Sequence, residues 1–164
     1  MKRRKPRAYL SGGMEYAKKE GADWRRELHS WLEEHLDHTV FNPSEESVKF
    51  LSRHLPRGNF RKLKTIDLPQ FTSLVRKIVD LDSREIARRS DYLVCYWDRS
   101  AQQGAGTKGE LTIAKFFGKP VYMVTRINHA NIPGWILGCT TEIFGSFSLL
   151  KLFLKGLYRN PKQR

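Results

Sequence analysis

The chain has 164 residues, enough for one domain with a sizeable buried core, and a formal net charge of +13 at neutral pH. It shows no apolar run of the ~7–15 residues that a signal peptide needs or the ~20 of a transmembrane helix. Its two cysteines, Cys95 and Cys139, lie far apart in apolar surroundings, which argues against a disulfide scaffold and predicts buried free thiols in a cytoplasmic protein with no membrane partner.

So large a positive field suits nucleotide phosphates, nucleic acid or another acidic partner. Nucleic acid is disfavoured, because the basic residues are spread along the chain without interleaved aromatic rings on which bases could stack.

Residues 1–7 read as a basic tail, and residues 8–11 as a first strand followed by Gly12-Gly13, a turn where backbone can approach a ligand closely. Residues 22–36 read as a helix, because Trp24, Leu28, Trp31, Leu32 and His35 recur at three-four spacing and make one apolar face. Residues 39–41 form a second short strand, stopped by Asn42-Pro43. Residues 44–71 carry no clear period. Their basic stretch 53–64 holds Pro56 and Gly58, runs on to Asp67-Leu68-Pro69, and reads as an insertion around 53–69 looping over a pocket.

Helix resumes over 74–89, with Ile78, Leu81 and Ile86 marking its buried side and Asp82 among them. Residues 92–97 are short, β-branched and aromatic, as a buried strand is. They empty into a polar loop, 98–107, containing Gly104, Gly106 and Thr107, and then into a helix bearing Leu111, Ile113, Ala114, Phe116 and Phe117. Gly118-Lys119-Pro120 breaks that helix. A buried strand over 121–125, a loop over 126–138, a short strand over 140–144, a closing helix over 147–157 and a basic tail, 158–164, complete the chain.

Strands alternating with helices from 8 to 157 predict a single α/β domain. Its sheet is doubly wound, of Rossmann or flavodoxin type, mostly parallel, with about five strands and helices on both faces. Such sheets bind ligands beyond the carboxyl ends of their strands. Ser11 to Gly13, Asn42-Pro43 and the 98–107 loop all fall at that edge.

Glu110 is the leading candidate for chemistry. It stands about one turn into a helix, beside a glycine loop, where the helix field and backbone donors favour an ionised carboxylate. Such a carboxylate can attack an electrophilic sugar carbon. A glutamate in a first helical turn also complements the helix dipole with no catalysis, so spacing alone leaves both roles open.

Asp82 and Asp91 are the candidate partner acids. Asp91 fits a turn before its strand, whereas Asp82 sits mid-helix among apolar neighbours, where aspartate is locally unfavourable. Two carboxyls with separated pKa values can divide the work of glycosidic cleavage. Asp98 leaves the strand either as a ligand contact or as a loop cap. Tyr9 reads equally as a core ring and as a hydroxyl orienting a carboxylate. The five histidines show no metal-ligand spacing, so no catalytic metal is expected.

Taken together, these segments resemble the nucleoside 2-deoxyribosyltransferase-like superfamily. The resemblance runs from about residue 8 to 125 and is carried by Tyr9-Leu-Ser-Gly-Gly13, Trp24-Arg25, Phe41-Asn-Pro43, Asp82 with Ile86 and Asp91, Gly106-Thr107-x-x-Glu110, and Gly118-Lys-Pro-Val121. It implies that Glu110 attacks the anomeric carbon of a deoxyribose, that Tyr9 orients it, and that Asp82 handles the departing base. Ser11, Gly13, Gly106 and Thr107 would line the sugar or its 5′ end. Gly12, Asn42, Pro43, Asp98 and Gly104 complete the candidate contacts to a deoxynucleoside or deoxynucleotide. No cofactor is expected, and the family's shared sites imply a homo-oligomer.

One position departs from the pattern. Many transferases of the family carry an aspartate six residues before the glutamate, where this chain has Gly104. Relatives that hydrolyse deoxynucleoside 5′-monophosphates also lack it. Transfer and hydrolysis therefore both stand as expected activities, beside a non-catalytic nucleotide-sensing or nucleic-acid-associated module.

Overall fold

The computed structural model describes residues 4–55 and 58–158. The outer parts of both basic tails and two residues of the basic stretch lie outside the described residues. The chain runs β1 (Arg7–Gly12), α1 (Ala22–Leu36), β2 (Thr39–Phe41), α2 (Pro43–His54), α3 (Phe60–Ile66), α4 (Leu68–Arg88) and β3 (Tyr92–Tyr96). It continues through α5 (Arg99–Gln103), α6 (Gly106–Phe116), β4 (Val121–Val124), α7 (Gly134–Cys139), β5 (Glu142–Phe144) and α8 (Phe147–Leu157). The strands form one five-stranded sheet in the order β2-β1-β3-β4-β5, and every pairing is parallel.

Side-chain alternation along the strands sorts the core into two layers. Ala8, Leu10, Tyr92, Val94, Tyr122 and Val124 point to one face, where Leu28 and Leu32 of α1 and Leu150 and Leu154 of α8 cover them. Tyr9, Leu93, Cys95, Val121 and Met123 point to the other, under Ile86 of α4, Leu111 and Ala114 of α6 and Ile136 of α7. Each such buried aliphatic side chain contributes roughly 1.5–3 kcal/mol. Trp24 and Trp31 are only partly buried and pack at the margin of the first layer. Cys95 and Cys139 are free and buried.

The chain leaves β1 for β2 on one side and reaches β3 on the other, so the strand order reverses between β1 and β3. A crevice opens at such a point beyond the strand ends. Three connections differ from their sequence expectation.

Pro43–His54 and Phe60–Ile66 are helices rather than loop. The Asn42 side chain accepts from Ser44 N–H to cap α2, with Pro43 at its first position, and Asn59 caps α3 by accepting from Lys62 N–H. These are helix-start signals, so the Asn-Pro pair that ends β2 also begins α2. The 98–107 segment likewise contains a short helix, α5, capped by Asp98, and Gly134–Cys139 is helical.

On α4 the inward stripe is Ile78, Asp82, Glu85 and Ile86, at helical spacing, while Leu81 is 39% exposed and turned outward. Phe116 and Phe117, at the end of α6, are exposed as well. Asp91 sits at the far end of the sheet from the crevice, accepting from Arg7 N–H at 2.7 Å and from Arg4 at 2.6 Å. It is a structural anchor for the N-terminal edge.

Candidate active site

A cavity of about 500 Å³ lies at the crevice, within the size range of ligand pockets. Its floor comes from Gly12 and Gly13 at the end of β1 and from Gly104 to Thr107, Gly109 and Glu110 at the start of α6. One wall is α4, which presents Val75, Ile78, Val79 and Asp82. The other side and the mouth are closed by Met14, Glu15 and Glu20 after β1 and by Phe60, Arg61 and Lys64 of α3.

Thr107, Glu110, Leu111 and Ala114 share one face of α6 by three-four spacing. Burial of Leu111 and Ala114 in the core therefore turns Glu110 toward β1. There the hydroxyl of Tyr9 donates to Glu110 Oε1 at 2.8 Å, and that of Ser11 to Oε2 at 2.5 Å. Tyr9 and Ser11 are two residues apart on a strand and so point the same way. Stacking of Phe41 on the Tyr9 ring, centroids 5.3 Å apart and planes 13° apart, fixes the phenol in place.

Burial raises the Glu110 carboxyl above the ordinary glutamate range; the Ser11 and Tyr9 hydroxyls and the charge of Arg25 hold it down. Across the cavity Asp82 is pushed up to about 8, first by burial and then by the charge of Glu110, with the Tyr9 hydroxyl opposing. The Glu110 charge raises Asp82, whereas both hydroxyls and Arg25 favour the charged form of Glu110, so Glu110 gives up its proton first and Asp82 holds its own to higher pH. Cys95 is no rival nucleophile, because burial and the Glu110 charge push its thiol far above the thiolate range.

The first turn of α6 has no side-chain cap. Gly106 and Thr107 of that turn line the cavity, and a helix start favours an anionic ligand group. Helix α3, within the basic stretch, lies at the mouth. Phe60 stacks on Phe71 of α4 with centroids 5.0 Å apart, and Arg61 pairs with Glu20 and Lys64 with Glu15, both at 3.0 Å. The ring pair gives the cavity an aromatic side that sequence periodicity did not single out.

Of the residues expected to form the site, Glu110, Tyr9 and Ser11 are hydrogen-bonded together, and Asp82, Gly12, Gly13, Gly104, Gly106 and Thr107 line the same cavity. Asn42, Pro43 and Asp98 do not. Asn42 and Pro43 are buried at the start of α2. Asp98 accepts from Ala101 N–H at 2.9 Å and Ser100 Oγ at 2.5 Å, and lines a separate concavity of about 570 Å³ beyond β3 and β4. Short polar residues at strand exits serve as helix caps as readily as ligand contacts, and here the caps prevail.

Gly13 is required for close packing. A Cβ there would lie 2.0 Å from Ser100 Oγ and 2.8 Å from Ala101 N. Gly13→Ala is expected to push the β1 exit away from α5 and cost about 1–3 kcal/mol, read as a lower denaturation midpoint; an unchanged midpoint would show that the two segments part freely.

Among the described residues no group of three His, Cys, Asp or Glu side chains could hold a metal ion, and no helix is long and apolar enough to cross a membrane.

No protein-family model and no curated protein sequence matches the chain. Among solved structures it is similar to a 2-deoxyribosyltransferase from Leishmania mexicana, with 13% sequence identity and a TM-score of 0.54 over 91% of this chain and 96% of that one. At that identity the likeness shows the fold, an α/β domain with a parallel sheet.

Proposed function

We propose that the chain breaks the bond between base and sugar in a deoxynucleoside or deoxynucleotide and transfers the 2-deoxyribosyl group through a covalent ester on Glu110. The observation that carries this reading is the Glu110 carboxylate, held by the Tyr9 and Ser11 hydroxyls on the floor of a cavity that Asp82, with its carboxyl raised to about 8, also lines. A fold shared with a 2-deoxyribosyltransferase is consistent with it.

In the first step a Glu110 oxygen attacks C1′, the C1′–N bond breaks, and its electron pair leaves with the base nitrogen. Asp82 gives that nitrogen its proton, so the base departs neutral. In the second step the nitrogen of another base, or water, attacks C1′. Asp82 takes the incoming proton and Glu110 is released as carboxylate. Tyr9 and Ser11 fix the direction of attack, and the α6 N-terminus binds the sugar's 5′ end.

That helix end, together with Arg61 and Lys64 at the mouth, favours a second reading in which water is the acceptor and the substrate is a 5′-monophosphate. Incubation with a deoxynucleoside, then with its monophosphate, each with and without a second free base, separates the two. Base exchange supports transfer, whereas free base and sugar phosphate without exchange support hydrolysis. Nucleotide binding with no product in any arm would leave a non-catalytic module.

Gly104 offers a second test. A Cβ there would meet only Ser100 O, at 3.5 Å, and the residue has φ −75°, so a side chain fits. Gly104→Asp is expected to leave stability within about 0.5 kcal/mol. The new carboxylate beside the phosphate-accepting helix end should lower turnover of the monophosphate relative to the free nucleoside by about tenfold. An unchanged ratio in competition assays would place the phosphate elsewhere.

A further inference from the structure

Arg25 is buried in the first turn of α1, on the inward face it shares with Leu28 and Leu32. Among the described residues it forms no salt bridge. Its guanidinium instead donates to five backbone carbonyls: Leu10 O at 3.3 Å, Gly12 O at 2.7 Å, Gly13 O at 3.4 Å, and Glu20 O and Gly21 O at 3.1 Å each. An interior cation without a counter-charge is costly, and an apolar side chain of similar volume would fill the space at less expense.

The surrounding chain is nevertheless shaped around this group. A Cβ on Gly21 would come within 2.5 Å of Arg25 Nη1, and one on Gly12 within 3.4 Å of Nη2. Three consecutive residues, Lys19, Glu20 and Gly21, have φ of 49°, 52° and 69°. Two of them are not glycine and are strained in that left-handed region. Their turn delivers the Glu20 and Gly21 carbonyls to the guanidinium.

We propose that Arg25 is a positioning residue for Glu110: it grips the end of β1 on both sides of Ser11 and sets a fixed positive charge across the strand end from the carboxylate. The inference rests on the reading of Glu110 as the reacting group. Leu10, Gly12 and Gly13 flank Ser11, whose hydroxyl donates to Glu110, so holding their carbonyls holds that hydroxyl in register.

The charge acts beside the geometry. The groups that face Glu110 are Tyr9 and Ser11 on β1, Asp82 on α4, Cys95 on β3 and Arg25 from the opposite layer, while Asp98 beyond β3 acts on Arg25 and Cys95. Arg25 is the cation of that set, and its charge holds both Glu110 and Asp82 down. Its own pKa is lowered by burial, yet an arginine begins so high that it stays protonated.

The test follows the ionisation of Glu110 directly. Carboxyl-labelled glutamate is titrated by 13C NMR in the native chain, in Arg25→Met and in Arg25→Lys, with the Glu110 resonance assigned by its loss in Glu110→Gln. In Arg25→Met the midpoint should rise by about one pH unit or more. In Arg25→Lys the charge remains, so the midpoint should stay near native, while the loss of carbonyl bonds lowers the melting temperature. A merely structural role would lower the melting temperature of both variants and leave both midpoints unmoved, which overturns the proposal.

Should Arg25→Met not fold, Arg25→Gln, which keeps amide donors for the carbonyls without the charge, takes its place: a raised midpoint supports the assignment and a native-like one overturns it. Base release measured alongside keeps the two readings apart. An acid limb that rises with the Glu110 midpoint supports the link to catalysis, and a limb that ignores it overturns that link. If the midpoint moves as expected but even the native chain releases no base, Arg25 keeps its hold on Glu110 and the glycosyl-transfer reading fails.

Discussion

Glu110→Gln is expected to reduce base release by on the order of 10⁴-fold or more, because it removes the atom that bonds to C1′ while the rest of the cavity stays in place. The amide keeps an oxygen to accept from Tyr9 or Ser11, which now bond the carboxylate at 2.8 and 2.5 Å, so the fold should survive. It also removes a charge that burial disfavours, so the melting temperature should hold or rise. Glu110→Ala should be equally inactive but less stable, since it leaves two inward-facing hydroxyls without their acceptor. Chromatographic base release and thermal denaturation on the same samples check both halves. Residual activity near native in either variant would remove Glu110 from the reaction.

Asp82→Asn should separate activity from stability in opposite directions. Losing the proton donor to the departing base is expected to lower the rate by about 10²–10⁴-fold, least for substrates whose base leaves readily without protonation. In the native chain the rate should rise as Glu110 ionises, above the ordinary glutamate range, and fall as Asp82 loses its proton near pH 8. The alkaline fall should be absent in Asp82→Asn.

The sign for stability follows from the same shift. Burial raises the folded carboxyl from its ordinary 3.8 to about 8. At pH values below 3.8 both folded and unfolded chains carry the proton, and the group costs nothing. As pH climbs from 3.8 to about 8 the unfolded chain releases its proton while the folded chain retains it, so stability is progressively lost. Asparagine does not titrate. The melting temperature of Asp82→Asn should therefore match the native chain near pH 4 and exceed it by a few degrees near pH 8. A variant that falls further below the native chain as the pH rises from 4 to 8 would mean that the carboxylate form is the one the fold favours.

The sheet and its flanking helices were legible where one periodicity ruled a segment. Helix α8 spans Phe147–Leu157 as its pattern predicts, and α1 spans Ala22–Leu36. Residues 44–71 were not legible, because Pro and Gly act as breakers inside a helix but also stand at its start, where capping decides. Asn42 before Pro43, Asn59, and Asp67 before Leu68-Pro69 are all N-caps of the helices that follow. On α4 the 3.6-residue period that turns Ile78 and Ile86 inward also turns Asp82 inward and carries Leu81, expected on the buried side, outward.

Within the site, polar residues at the end of β1 and the start of α6 could be placed from sequence because strand ends and glycines fix them. Phe60 and Phe71 could not, since their pairing joins two helices whose relative placement no local pattern encodes. Arg25 belongs to the Trp24-Arg25 pair at the start of α1, but its use is visible only in its five carbonyl partners, which no local pattern encodes.

The central claim is that Glu110 forms a bond to a sugar carbon. A deoxynucleoside analogue fluorinated at C2′ slows release of the sugar more than its capture, so a glycosyl-enzyme should accumulate. Intact-mass and peptide-mapping mass spectrometry of the treated chain should show one added fluorodeoxyribosyl group, on the peptide containing Glu110, and none on Glu110→Gln. An analogue that binds and loses its base while the chain gains no mass, or gains it on another residue, would contradict the account.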